Sequence, residues 1–151
     1  MQSMPSGLRS AVVKDVAAAK RIEELLAWQL GVSLRDQILA LTREGKVARD
    51  FVFCDQIKES SSSVTANLAE GFGAFKPRVF AQYARIARRS LLETRDHLQN
   101  GKTRGYFTAD DEERLRRLAL RAQKATTRLI RYLDSCKGKA PTGWDFDAEG
   151  T

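Results

Sequence analysis

The sequence predicts an all-α protein that folds as an antiparallel up-down-up-down four-helix bundle. Apolar residues recur at steps of three and four along most of the chain, which is the period of an α-helix. The 151 residues include only three prolines and 8% aromatic side chains, whereas a β-sandwich needs many short strands and turns. Glycine- or proline-containing breaks divide the periodic stretches into four, and the short connections favour antiparallel neighbours in a single domain.

The first helix is predicted from Ile22 to Thr42, and Gly45 ends the segment. Its apolar residues form two stripes, one of Leu30, Leu34, Ile38 and Leu41 and another of Leu25, Trp28, Val32 and Leu39. A helix that is apolar on two sides needs neighbours on both of them. Residues 1–21 precede it as an N-terminal extension, which either continues this helix or forms a short separate one.

The second helix is predicted from Asp50 to Phe72, where Gly71 and Gly73 end it. Its seam is apolar or small and consists of Cys54, Ile57, Ser61, Val64 and Leu68. The four consecutive serines at 60–63 are unusual inside a helix, because each hydroxyl competes for backbone hydrogen bonds. The favoured interpretation is that these small side chains let another helix approach closely. The alternative is a flexible hinge.

The third helix is predicted from Pro77, a first-turn proline, to Asn100–Gly101. The fourth follows Thr108, whose hydroxyl can cap it, and reaches Ser135. Its core stripe is Leu115, Leu118, Ala119, Ala122, Thr126, Leu129, Ile130 and Leu133. The bundle domain therefore covers residues 22–136. Residues 137–151 contain glycine, proline and three acids, and are predicted to be a disordered acidic tail.

The net charge of +7 is distributed unevenly along the chain. Residues 50–75 carry a net charge of −3, whereas residues 76–107 carry eight bases and two acids, a net of +6. On the third helix Arg78, Arg85 and Arg89 share one face, with Arg88 and Arg95 on its flank. On the fourth helix they form a stripe opposite the core, spaced by four, three, four and three residues: Arg117, Arg121, Lys124, Arg128 and Arg131.

Two interpretations of these basic surfaces remain open at the level of sequence. A solvated helix face has to be polar, and charge could serve only that purpose. A mixture of acids and bases is the commoner solution, however, and two neighbouring faces of one sign repel themselves. Arginine also suits phosphate in particular, because its planar guanidinium can bind two phosphate oxygens at once. The favoured interpretation is therefore binding of RNA or DNA.

Catalytic, metal and cofactor motifs are missing from the sequence. A catalytic triad would need a serine or cysteine nucleophile and a carboxylate that converge on the one histidine, His97. The sequence places neither in such a position. Cys54 and Cys136 match no metal-ligand or CxxC spacing, which predicts reduced thiols. We expect no enzyme activity, no metal and no cofactor. The chain also lacks a long apolar run and a signal peptide, so we expect a cytoplasmic protein without a membrane span.

The junction of the second and third helices resembles a known family. The matching residues are Asn67-Leu68-Ala69-Glu70-Gly71-Phe72-Gly73, Phe80, Arg85-Ile86-Ala87-Arg88 and Ser90-Leu91-x-Glu93. This pattern is similar to that of the four helix bundle protein family, also called the 23S rRNA intervening-sequence family, and the resemblance covers residues 25 to 135. Asn67, Glu70 and Gly71 match its motif. Arg89 departs from the pattern, since a glycine is usual there, and it adds a base to the third helix.

The resemblance implies an antiparallel four-helix bundle that assembles into a homopentamer. The accessory variability protein of diversity-generating retroelements is similar to this family, and it works with a reverse transcriptase and nucleic acid. The resulting hypothesis is a non-enzymatic, basic homo-oligomer that binds RNA or DNA backbones, as an accessory to a reverse transcriptase or a ribonucleoprotein. The alternative is a structural scaffold whose basic face docks an acidic protein partner.

Overall fold

A computed structural model describes residues 19–139, and within that range the fold is all-α. The helices are α1 (Leu26–Thr42), α2 (Phe51–Gly73), α3 (Pro77–Thr103) and α4 (Ala109–Ser135). Each helix packs on the next one in sequence, and α4 also packs on α1, which closes the bundle. Arg85 near the start of α3 bonds Asp134 near the end of α4, as an antiparallel pair requires. The predicted four-helix bundle is confirmed.

The core follows the predicted helical stripes. Leu34, Ile57, Val64, Leu91 and Leu129, one or two from each helix, are all at most 1% exposed. Several core positions of α3 and α4 are alanines, including Ala84, Ala87, Ala119 and Ala122, which keep the helix axes close. The N-terminal extension predicted for residues 1–21 and the tail predicted for 137–151 lie outside the described residues, except for 19–21 and 137–139.

Several helix boundaries differ from the sequence prediction. The chain at Ile22–Glu24 forms a short 3-10 turn, and Leu25 is extended with φ −78° and ψ 120°, so α1 begins only at Leu26. The extended backbone at Leu25 places its side chain in the core at 1% exposure, and this tertiary burial overrides the helical periodicity. The α3 helix continues past Gly101 to Thr103. Gly101 is a packing position, because an added Cβ would lie 2.3 Å from the ring of Phe107.

Asp50 and Thr108 begin two of the helices through their side chains. The Asp50 carboxylate accepts the N–H of Phe53 at 3.1 Å, and the Thr108 hydroxyl accepts the N–H of Asp111 at 3.1 Å. Each bond satisfies a backbone donor that has no partner within the first turn of its helix. The predicted Thr108 cap is confirmed. Asp50 was predicted as the first residue of its helix and is its capping residue instead.

Small polar residues join α2 to α3. The Thr94 hydroxyl donates to Ser60 at 2.9 Å, and Ser63 and Ser90 share a hydrogen bond of 2.9 Å. These hydroxyls also bond backbone carbonyls of their own helices, as at Ser60, whose hydroxyl donates to the Ile57 carbonyl at 3.2 Å. The α2 helix runs unbroken across the serines. The structure therefore agrees with close helix approach, and not with a hinge.

Gly71 brings the end of α2 against the start of α3. An added Cβ would lie 2.6 Å from the ring of Phe80, 2.8 Å from Cβ of Tyr83 and 3.2 Å from the backbone of Phe80. Real Cβ atoms do not approach neighbours that closely, and backbone and Cβ atoms cannot rotate away as a flexible side chain can. Gly71 is thus required by packing, whereas Gly73, with nothing within 4 Å of an added Cβ, is not.

We predict different effects on stability from alanine at the two glycines. Gly71→Ala should lower the free energy of unfolding by about 1–3 kcal/mol, because the methyl group overpacks the α2–α3 contact. Gly73→Ala is the matched control and should leave stability unchanged or raise it by up to about 1 kcal/mol, since alanine favours the helix. Urea unfolding followed by circular dichroism measures both. Equal effects from the two substitutions would contradict the packing role of Gly71.

Candidate nucleic-acid interface

The basic stripe of α4 lies on the outside of the bundle. Leu115, Ala122 and Leu129 are buried on one side of the helix, and the basic residues at the intervening positions point away from them. Arg117, Arg121, Lys124 and Arg131 are exposed, and Arg128 is half-buried. From Arg117 to Arg131 the stripe is about 21 Å long at a rise of 1.5 Å per residue.

Acidic residues neutralise Arg117, the first base of this stripe, and Arg114 just before it. Arg117 pairs with Glu113 at 2.7 Å, and Arg114 pairs with Asp111 at 3.0 Å. Both acids sit at the positive end of the α4 dipole, which favours negative charge. Arg121, Lys124 and Arg131, further along α4, have no acidic partner among residues 19–139. The uncompensated positive charge is therefore concentrated from Arg121 onward.

Two shallow grooves border the stripe. One lies between α1 and α4, has a volume of about 550 Å³, and is lined by Ser33, Gln37, Arg117 and Arg121 among others. Here Arg114 also donates a hydrogen bond to Gln37. The second has a volume of about 300 Å³ and is lined by Leu120, Gln123, Lys124, Thr127, Arg128 and Arg131. Neither lining includes an aromatic side chain on which a nucleic-acid base could stack.

The predicted α3 arginines occupy different environments. Arg78 and Arg89 are exposed and Arg88 is half-buried. Arg85 is paired with Asp134 of α4 at 2.6 Å, so its charge is partly compensated. The side chains of Arg85 and Asp134 are 44% and 50% exposed, and surface ion pairs of this kind contribute at most about 1 kcal/mol to stability. The α3 and α4 bases therefore lie on adjacent, packed helices, and Arg85 reaches across the junction between them.

Sequence reasoning missed several polar residues of this surface. Gln123 accepts a hydrogen bond of 2.9 Å from Arg95 of α3, which links the two helices beside the basic stripe. Glu112 is 3% exposed and lies 3.6 Å from Arg116 and 3.9 Å from Lys102. The spacing of four residues between Glu112 and Arg116, and between Glu113 and Arg117, was the available signal for those pairs. The Gln123 and Lys102 contacts join different helices and carry no such signal.

The family-motif residues are not part of the basic surface. The Asn67 side-chain amide donates to the carbonyl and hydroxyl oxygens of Ser63, at 2.8 and 2.9 Å. That hydroxyl is the one bonded to Ser90 of α3, so Asn67 completes the polar contact between α2 and α3. Gly71 also packs against α3, and Glu70 is exposed. The motif is thus mainly a packing motif.

His97 and the cysteines are packed against neighbouring residues, and the buried Nε2 of His97 has no hydrogen-bond partner among residues 19–139. His97 lies 3.5 Å from Glu93, and its ring meets that of Phe53 edge-on at 6.4 Å between centroids. The Cys54 thiol donates to the Val47 carbonyl at 3.2 Å, and burial raises its pKa and that of Cys136. Among residues 19–139, no group of three or more His, Cys, Asp or Glu side chains is placed to hold a metal. No helix in that range is long and apolar enough to cross a membrane.

A charged cluster around Asp50 lies at the end of the bundle where α2 and α4 begin. Its carboxylate accepts hydrogen bonds from the Tyr106 hydroxyl at 2.6 Å and from Arg104 at 3.2 Å. The Tyr106 hydrogen bond, with the Phe53 N–H and Arg104, lowers the pKa of Asp50 below its ordinary value, and the Asp50 carboxylate raises the pKa of Tyr106. The cluster joins the start of α2 to the turn before α4, away from the uncompensated bases.

Fold and charge together define the class of this molecule as a basic antiparallel four-helix-bundle protein. The family of the 23S rRNA-intervening sequence protein matches residues 23–128, and the chain belongs to that family. The bundle is also similar to a crystal structure of a protein with unknown function from the S23 ribosomal protein family of Bacteroides thetaiotaomicron. The two chains share 20% sequence identity with a TM-score of 0.64, over 70% of this chain and 99% of that one. No curated protein matches the chain.

Proposed function

We propose that this protein is a non-enzymatic, homo-oligomeric binder of RNA or DNA backbones, and that the basic surface of α3 and α4 is its binding face. The observation that carries the proposal is that three exposed bases of α4, Arg121, Lys124 and Arg131, have no acidic partner among the described residues. An exposed base that already has an acidic partner would give up that interaction on binding phosphate. Arg121, Lys124 and Arg131 would give up only their hydration.

The shape of the surface favours phosphate contacts over base recognition. Arg121, Lys124 and Arg131 project from one side of α4, so they can follow a strand of phosphates over about 15 Å. Each neutralised phosphate releases condensed counterions, which provides the favourable free energy of such binding. The grooves lack aromatic side chains for stacking, so binding should depend little on nucleotide sequence.

Assembly belongs to the same proposal. Trp28, Val32 and Leu39 on α1, and Val79 and Ile86 on α3, are only half-buried in the single chain, so they offer apolar surface to a neighbouring copy. A ring would present the basic surface several times to one long polyanion, and the linked contacts would strengthen binding. A pentamer that acts as an accessory to a reverse transcriptase or another nucleic-acid enzyme is the specific form we propose.

One observation favours the alternative of a scaffold that docks another protein. Phe51 and Val52, at the start of α2, are 75% and 68% exposed and lie beside Lys46 and Arg49. Adjacent exposed apolar side chains with a basic rim suit an acidic protein surface. This surface is at the end of the bundle opposite the uncompensated bases of α4, so substitutions can separate the two functions.

We predict that Arg121→Gln, Lys124→Gln and Arg128→Gln together weaken binding to all nucleic-acid sequences alike. The slope of log K against log salt should flatten by about two to three units on duplex DNA, at about −0.9 per phosphate contact. Fluorescence anisotropy with duplex DNA and single-stranded RNA at several salt concentrations measures the slope. The thermal unfolding midpoint should stay the same or rise slightly, because self-repulsion falls.

The matched control is a single substitution that removes an acid from this surface instead of a base. Glu113→Gln removes the partner of Arg117 and should steepen the salt slope by up to one unit. Phe51→Ser with Val52→Ser should leave both slope and affinity unchanged. Unchanged binding by the folded triple variant, or no binding by the native protein at low salt, would move the function to the scaffold alternative.

We also predict that the native protein is an oligomer at micromolar concentration. Light scattering coupled to size exclusion should give a multiple of the 16.9 kDa chain mass, with five copies as the specific expectation. Val32→Glu and Leu39→Glu should reduce that mass, because a charge cannot be buried in an apolar interface without a large desolvation cost. A monomer mass for the native chain would show that these half-buried faces are simply hydrated.

A further inference from the structure

The chain leaves α4 against the start of α3. After Cys136 the backbone turns sharply, with φ of 49° at Lys137 and 81° at Gly138. Gly138 lies so close to Arg78 that an added Cβ would be 3.1 Å from its Nε. Residues beyond Lys139 therefore begin beside the first turn of α3, at the end of the bundle where the stripe of α4 has its uncompensated bases.

This end of the bundle combines an exposed aromatic ring with several bases. Phe75, in the loop between α2 and α3, is 49% exposed and has a φ of 55°. Positive φ is costly for a bulky residue, and such backbone is found preferentially where a segment or ligand is held. Lys76 and Arg78 follow Phe75 in sequence and are both exposed. The surface can thus accept aromatic and acidic groups together.

The sequence beyond Lys139 has the complementary composition. Trp144 and Phe146 alternate with Asp145 and Asp147, Glu149 follows, and residues 140–151 contain no base. Two aromatic rings separated by acids match a surface in which Phe75 adjoins Lys76 and Arg78. The start of α4 carries acidic residues, so it does not complement this acidic segment.

Distance decides between the two exposed apolar surfaces of the bundle. Trp144 is five residues from Lys139, so it can reach at most about 18 Å from it. The Phe51–Val52 surface lies beside the turn before α4, and the 27 residues of α4 span about 40 Å. Trp144 therefore cannot reach Phe51 of its own chain, but Phe75 is at the end where the segment starts.

We propose that residues 144–149 dock on the Phe75–Arg78 surface of the same chain and compete there with polyanions. Docking places Asp145, Asp147 and Glu149 next to Arg78 and the end of the α4 stripe, where they neutralise bases that would otherwise bind phosphate. A tethered segment has an effective concentration in the millimolar range, so weak contacts suffice. The competition rests on the proposed function, whereas the docking itself does not.

Docking is tested through Trp144 fluorescence in the full chain carrying Trp28→Phe. Acrylamide should quench Trp144 at least twofold less than it quenches a free peptide of residues 140–151, and Phe75→Ser with Arg78→Gln should abolish that protection. Phe51→Ser with Val52→Ser is the control and should leave it unchanged. Fluorotryptophan NMR of the chain that retains Trp28 checks the same point. Equal quenching in the native chain and the peptide overturns the docking.

Competition is tested with variants that change no charge. Phe75→Ser, and separately Trp144→Ala with Phe146→Ala, should raise affinity for a 20-nucleotide poly(U) severalfold, because the acidic segment is released while the bases stay the same. Phe51→Ser with Val52→Ser should not. Native affinity in both release variants overturns the competition even if Trp144 is protected. If neither native nor released chain binds RNA or DNA at low salt, the proposed function fails, and the competition with it, while the quenching result still decides the docking.

Discussion

The bundle depends on the close approach of α2 and α3. Gly71 leaves no room for a methyl group between itself and the α3 residues Phe80 and Tyr83. Elsewhere along the α2–α3 contact, serine and threonine side chains take the place of larger apolar residues. Asn67 bonds Ser63 and so supports the Ser63–Ser90 hydrogen bond. A polar seam of this kind is stable because every hydroxyl finds a partner, and it sets the rotation of α3 by directional bonds. That rotation puts Arg78 and Arg89 outside.

The rotation of α3 also determines how the basic surface is divided. Arg85 is turned toward α4 and bonds Asp134, so the charge of this exposed base is partly compensated. At the other end of α4, the acids that favour the helix start also neutralise Arg117. The α4 stripe is therefore not uniform. Its positive charge is available mainly from Arg121 onward, beside the place where the chain leaves the bundle.

Helical periodicity predicted the core because burial follows a simple geometric repeat. Leu34, Ile57, Leu91 and Leu129 needed only that repeat and the breaks between segments. The same reasoning failed where a residue served a tertiary purpose. Gly101 was interpreted as a helix end, although it is buried under Phe107 in a helix that continues. Leu25 fitted an apolar stripe, although it reaches the core from extended backbone.

The sequence by itself determined the fold class, the four helices, the family and the exposed side of α4, since each follows from local spacing or from a contiguous motif. Only the tertiary structure decided which bases are compensated. Arg117 could have been paired from its spacing to Glu113, but the Arg85–Asp134 and Arg95–Gln123 contacts join residues 49 and 28 positions apart. Such contacts depend on how two helices are rotated against each other. That rotation is set by packing at Gly71 and by the hydroxyl hydrogen bonds between α2 and α3.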